Sequence, residues 1–168
     1  MLKYIILLLV LPALLCEPAK KIVLSEEPLV KILYSFPSDT RIRFSLIFKS
    51  EGYISFGFGG GMYDSDILIC YFQDGIPQIK DTHSKGYTSP PEDASQDWTL
   101  ISGKRKNGLT IFVVERDLKT GDSDDKDILV NAPQSVVWAL GKSDTINYHS
   151  GDRGVVNNVV FQKNNKHL

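Results

Sequence analysis

Residues 40–49 place Ile42, Phe44, Leu46 and Phe48 on one side of an extended chain. Arg41, Arg43, Ser45 and Lys49 fall on the other, with Ile47 the exception. A period of two is what a half-buried β-strand requires, because successive side chains leave opposite faces of the pleat. Val30, Ile32, Tyr34 and Phe36 repeat the pattern, as do Ile54, Phe56 and Phe58, with Gly57 where a second backbone is able to approach closely. No segment keeps a helical period beyond two turns. Residues 66–72, 109–115 and 135–140 are denser apolar runs that read as central strands, and 98–103 and 155–162 are further candidates.

Turn residues punctuate these runs. Lys106-Asn107-Gly108 is the strongest hairpin signal and is predicted to join 98–105 to 109–115. Ser50-Glu51-Gly52 and Asp74-Gly75 are tight-turn material. Residues 83–97 and 117–127 read as long loops. The expectation is one all-β domain of eight to ten short strands, a sandwich or a barrel, with a polar tail from Gln162 to Leu168.

The N-terminus reads differently. Lys3, the apolar run Ile5 to Leu11 and Pro12 to Cys16 have the charged start and short apolar core of a signal peptide. The run falls short of the roughly 20 residues needed to span a bilayer. Residues 1–16 are therefore expected to be removed, leaving a secreted domain over 17–168 with no membrane span. Cys70 is then left without a disulfide partner and is expected to serve as a small buried hydrophobe.

Charge excludes some functions. Lys and Arg number 19 and Asp and Glu 20 in 168 residues, so there is no excess of basic charge to hold nucleic acid or an anionic membrane.

Several short constellations are candidates for chemistry. In Gly59-Gly60-Gly61-Met62-Tyr63-Asp64-Ser65-Asp66, the methionine sits in a glycine-rich turn outside the alternating pattern. A phosphate loop is not supported, because Met62 takes the last glycine position and no helix follows. His149 lies beside Gly151, Arg153 and Gly154 before the last strand. By itself it reads as a surface or hydrogen-bonded loop histidine. Asp122, Asp124, Asp125 and Asp127 lack the glycine and distal glutamate of an EF-hand and read as a solvated acidic loop. Gln96-Asp97-Trp98 reads as the structural start of a strand. No nucleophile elbow is present, and the three histidines, 83, 149 and 167, give little basis for a zinc site. A site shared by His83 and His149 is the one metal pairing they offer.

Six segments in order resemble the DOMON domain, a module of dopamine β-monooxygenase-like proteins and of cellobiose dehydrogenase. They are Gly52 to Phe58; Gly61-Met62 with Ser65 to Ile69; Gln96 to Leu100; Arg116-Asp117-Leu118 with Thr120-Gly121-Asp122; Val137 to Gly141; and Tyr148-His149 with Arg153-Gly154. The resemblance covers about residues 28–162 and implies an immunoglobulin-like antiparallel β-sandwich with a ligand pocket at one end. In the cytochrome members haem b is held by a Met and a His, and Met62 and His149 fall on those positions. On that resemblance Met62 and His149 are the metal ligands, Phe58 and Tyr63 line the haem, and Arg153 pairs with a propionate. The implied role is single-electron transfer to a redox partner protein. The segment holding Pro90-Pro91 and Gln96-Asp97-Trp98 is more similar to the copper-monooxygenase branch. The chain carries neither a copper catalytic domain nor a flavin domain, so it is not expected to be an enzyme by itself. The other reading of the same pocket is a haem-free extracellular binding module for a carbohydrate, catechol or other small ligand, with Tyr63, Tyr87 and Tyr148 as stacking surfaces.

Overall fold

The structure is a computed structural model and describes residues 18–149 and 151–164. The segment expected to be a signal peptide, residues 1–16, lies outside these residues. Ten strands run in chain order: β1 Lys20–Ser25, β2 Val30–Ser35, β3 Arg41–Phe48, β4 Ile54–Phe58, β5 Tyr63–Gln73, β6 Ile76–Lys85, β7 Thr99–Lys106, β8 Leu109–Asp117, β9 Pro133–Leu140 and β10 Arg153–Val160. They form two five-stranded sheets, ordered β1-β2-β3-β8-β7 and β10-β9-β4-β5-β6. Every strand pairing within them is antiparallel. The all-β sandwich expected from the alternating pattern is the fold observed.

The alternating residues build the core between the sheets. Ile42, Phe44, Leu46 and Phe48 face inward from β3 and are fully buried, as are Ile54 and Phe56 from β4. Phe44 sits at the centre of an aromatic cluster, with ring centroids 5.2 Å from Phe56, 5.3 Å from Phe161 and 6.1 Å from Trp98. Cys70 is buried in the same core, matching its expected role as a small hydrophobe.

The turns follow the sequence signals closely. Asn107 and Gly108 both have positive φ, 53° and 74°, and close β7 onto β8 with Lys106 opposite Leu109. Asp74 and Gly75 do the same between β5 and β6, at 52° and 79°. Two positive-φ residues form the hairpin turn whose twist matches the strands it joins.

Two strands lack a sequence signal. β1 and β6 are edge strands, and β6 carries Pro77, Lys80, Asp81 and His83 where a central strand would be apolar. The loop expected over 83–97 therefore begins later, because His83, Ser84 and Lys85 belong to β6. β1 also carries the sandwich ahead of the expected core boundary at residue 28.

Candidate functional site

A sandwich strand needs only one apolar face. β5 and β9 have two, which is what their dense apolar runs encode. Leu68, Cys70, Val136, Trp138 and Leu140 join the inter-sheet core. Ile67, Ile69 and Val137 point the other way and, with Tyr53, form a second buried cluster on the outside of the β10-β9-β4-β5-β6 sheet. Met62, Tyr71 and Ile146 are packed against it. This outer face floors a cavity of about 570 Å³, within the usual range for a small-molecule or cofactor site. Loops carrying Met62, Tyr87 to Pro90, and Ile146 to His149 form the remaining wall.

The loop bearing Met62 follows β4. Gly59 and Gly61 have φ of 149° and 150°, a region open to glycine and closed to most other residues. The Gly59 amide donates to the Ser135 carbonyl at 3.2 Å, and the Ser65 hydroxyl to the Gly61 carbonyl at 2.6 Å. The Ser84 hydroxyl donates to the carbonyl of Met62 itself. The methionine is therefore held by its own backbone and by both flanks of the turn.

The loop bearing His149 joins β9 to β10 and is tied down repeatedly. Gly141 donates to the Tyr53 carbonyl at 2.8 Å, and the Tyr53 amide returns a bond to Ser143 at 3.1 Å. The buried Tyr53 hydroxyl donates to the Asn147 carbonyl, two residues before the histidine. Burial raises the Tyr53 phenol above its ordinary pKa, so it stays a neutral donor. Arg105 clamps Asp144 with bonds of 2.8 and 2.6 Å, and that pairing holds the Asp144 carboxyl below the usual carboxylate range. Arg153 donates to the Tyr148 hydroxyl at 3.0 Å, and the Tyr148 ring lies 5.3 Å from the His149 imidazole.

Met62, His149 and Arg153 therefore line one cavity, although 87 residues separate the first two. Phe58 does not join them. Its position continues the inward set Ile54, Phe56 and Phe58, so it lies in the core between the sheets. Tyr63 is 77% exposed and lies outside the cavity lining. His83 is separate too: its Nδ1 donates to the Asp124 carbonyl at 2.5 Å and its Nε2 lies 3.1 Å from Asp64 Oδ1. It does not share a site with His149.

One buried ion pair has no counterpart in the sequence reading. Arg116 on β8 and Asp66 on β5 are fully buried and meet at 2.6 Å between the sheets. The guanidinium also donates to the Lys126 carbonyl at 2.5 Å and lies 5.0 Å from the Trp98 ring centre. Trp98 is correspondingly a core residue, 5% exposed. The acidic loop is only partly solvated, because the Asp125 side chain is buried and lies 3.5 Å from Arg116. The signal available was an arginine at an inward parity position of an otherwise apolar strand.

Two antiparallel sheets with a loop-walled, cofactor-sized cavity outside one of them define a β-sandwich pocket module. The chain belongs to the DOMON domain family, which matches residues 26–141. It is 32% identical over 119 residues to DBH-like monooxygenase protein 1 of Gallus gallus and 31% identical over 121 residues to the Homo sapiens protein of the same name. Those stretches cover 67% and 68% of this chain and 19% and 20% of the relatives, so the chain corresponds to about a fifth of their length. The fold is similar to the cytochrome domain of Myriococcum thermophilum cellobiose dehydrogenase, with a TM-score of 0.67 and 13% identity, covering 84% of this chain and 82% of that one. It is also similar to the cytochrome b domain of pyranose dehydrogenase from Coprinopsis cinerea, with a TM-score of 0.60 and 16% identity, covering 82% and 80%. Among the described residues no helix is long and apolar enough to cross a membrane.

Proposed function

We propose that the chain is a secreted haem b-binding electron-transfer module, in which Met62 and His149 would hold the haem iron. The observation that carries this reading is that Met62 and His149, on two separately anchored loops, both line one largely apolar cavity of about 570 Å³. The donor set fits the group: Met/His ligation raises the reduction potential of haem and suits it to outer-sphere electron transfer. Bound there, haem supplies a one-electron couple.

The protein's part is to hold and shield. Ile67, Ile69 and Val137 form an apolar floor that would shield one face of a bound group from water. The bonds from Tyr53 to Asn147 and from Ser84 to Met62 fix both ligand-bearing loops before anything binds, which lowers the ordering cost of binding. Arg153 also lines the cavity, where its guanidinium would pair with a propionate carboxylate. The fold similarity to two cytochrome domains supports this reading. A haem domain of this kind passes electrons to a separate protein, so a redox partner belongs to the proposal.

A second reading rests on a different observation. Tyr87 and Tyr148 border the cavity with 94% and 74% of their surface exposed, and Tyr63, 77% exposed, follows Met62. Exposed tyrosines beside a pocket suit stacking on a sugar or catechol ring in a haem-free binding module.

Haemin titration followed by reduction separates the two. The haem reading expects a saturating Soret band and distinct reduced bands, lost in His149→Ala and altered in Met62→Ala. A featureless titration of folded protein, or spectra unchanged by both substitutions, refutes it and leaves the small-ligand reading, which a glycan and catechol screen then examines.

A further inference from the structure

We propose that the outer face of the β1-β2-β3-β8-β7 sheet docks an amphipathic helix of a partner protein, one whose apolar stripe is flanked on both sides by carboxylates. The starting point is the residue that breaks the alternation of β3. Arg41, Arg43 and Ser45 face outward, and so by parity does Ile47, yet Ile47 is 9% exposed and belongs to neither buried cluster. The register sets further apolar side chains beside it. Ile47 stands opposite Ile111 of β8, and Ser45 stands between Val113 of β8 and Leu33 of β2. Leu33, Ile111 and Val113 are half-buried and also lie outside both clusters. The outward face of an antiparallel sandwich sheet is ordinarily polar. This band is therefore a third apolar surface, on the side of the sheet turned away from the inter-sheet core.

Lysines border the band on both sides. One cross-strand row reads Lys31, Ile47, Ile111, Lys104. Lys106 stands opposite Leu109 on one flank, and Lys21 stands opposite Leu33 on the other. None of these four lysines forms an ion pair among the described residues. The acids of this end, Glu26, Glu27 and Glu51, stand in turns beyond the strands and pair with none of them. The other half of the same face is neutralised within the chain, because Glu115 pairs with Arg43 and Asp117 lies 3.6 Å from Arg41. Uncompensated positive charge is thus confined to the flanks of the apolar band.

The spacing of those flanks selects the occupant. Lys31 and Lys104 are three strands apart, about 14 Å at the usual spacing of about 4.8 Å. A helix with its side chains is about 10–12 Å across. Laid along β3 and β8, it fills the band and brings acidic residues on either flank within reach of a lysine stem. A bilayer is the poorer match, because the band has no aromatic and none of its side chains is among the exposed large hydrophobics that could enter lipid. A second copy would bring the same lysines against these and repel them. The cavity lies outside the other sheet, so this surface is independent of the haem reading.

The probe is a labelled synthetic helix of about 18 residues with a leucine stripe and glutamates on both flanks. Its control keeps the leucines and carries lysines in place of the glutamates. Binding to the full chain is read by fluorescence anisotropy and by the shifts of its backbone amides. The glutamate helix is expected to bind, less tightly as salt rises, with shifts confined to β2, β3, β8 and β7, and the lysine helix is not. Lys31→Glu with Lys104→Glu is expected to weaken the glutamate helix at least about tenfold and to gain binding of the lysine helix. Should that variant fail to fold by circular dichroism, Lys31→Gln with Lys104→Gln decides, with an expected loss of about threefold. The proposal is overturned if the wild-type chain binds both helices alike or neither, if the shifts map to another face, or if the lysine variants bind as wild type does. It is also overturned if the wild-type chain prefers vesicles of phosphatidylserine and phosphatidylcholine to the glutamate helix, or self-associates through this face in sedimentation. Haemin titration is expected to be the same with and without the helix, so the failure of either reading leaves the other standing.

Discussion

Replacing Arg116 by methionine tests whether the buried ion pair holds the sheets together. Methionine keeps most of the side-chain volume and removes the charge. Arg116 is fully buried and makes two charge-assisted bonds, 2.6 Å to Asp66 Oδ2 and 2.5 Å to the Lys126 carbonyl. Each such bond contributes about 1.5–3 kcal/mol. Removing one member of a buried pair strands the other, and the measured cost of that is about 3–5 kcal/mol. The two figures agree, so Arg116→Met is expected to lose about 4 kcal/mol. With a urea m-value of about 2 kcal/mol/M, the midpoint falls by about 2 M. Trp98 is a built-in reporter, because the guanidinium lies 5.0 Å from its ring centre and the indole is 5% exposed. A second variant sharpens the result: Arg116→Met with Asp66→Leu removes both charges and is expected to recover a large part of the loss. A single variant within about 1 kcal/mol of wild type, or a double variant no better than the single, refutes the argument.

Two other perturbations have equally definite outcomes. The native chain should hold protons on Asp81 and Asp93, whose carboxyls are raised to about 8 and about 6, that the unfolded chain has already released above its ordinary value of 3.8. Their contribution is complete below about pH 4 and is lost as pH rises through 6 and then 8. Urea stability should therefore fall from pH 5 to pH 8, by at most about 1.4 kcal/mol per unit for each group. Asp144, held low by Arg105, works in the opposite sense only below its ordinary value of 3.8, outside this window. A steady rise in stability from pH 5 to pH 8 would contradict the raised state of these two carboxyls. Gly59→Ala should cost about 1–3 kcal/mol, because an alanine at φ 149° is strained and its Cβ meets the Ser65 side chain. The same change displaces the turn that carries Met62, so haemin affinity should drop while the His149-dependent spectrum survives. Unaltered stability and affinity in this variant would show that the glycine is dispensable.

Local chemistry determined much of this protein. The alternation of Ile42, Phe44, Leu46 and Phe48 named both the strand and its buried face, because side-chain period and pleat period are the same. Asn107-Gly108 and Asp74-Gly75 specified their hairpins, because few other residues take two consecutive positive φ values. The dense runs in β5 and β9 read as central strands, and the second buried face that they build emerged only in the structure. The resemblance of six segments in order, rather than local chemistry, pointed to Met62 and His149, which both line the one cavity.

Tertiary structure decided the rest. β1 and β6 are edge strands whose identity comes from a neighbour's unpaired amides and carbonyls, so their own composition carries little signal. Phe58 went to the core and Tyr63 to the surface because strand parity and turn geometry, not aromatic character, set which way a side chain points. Arg116, Asp66, Asp81 and Asp125 were unreadable as a group. They come from β8, β5, β6 and a loop, and in sequence each is an ordinary charged residue; only the closing of one sheet over the other strips them of water and makes each answer for the others' charge.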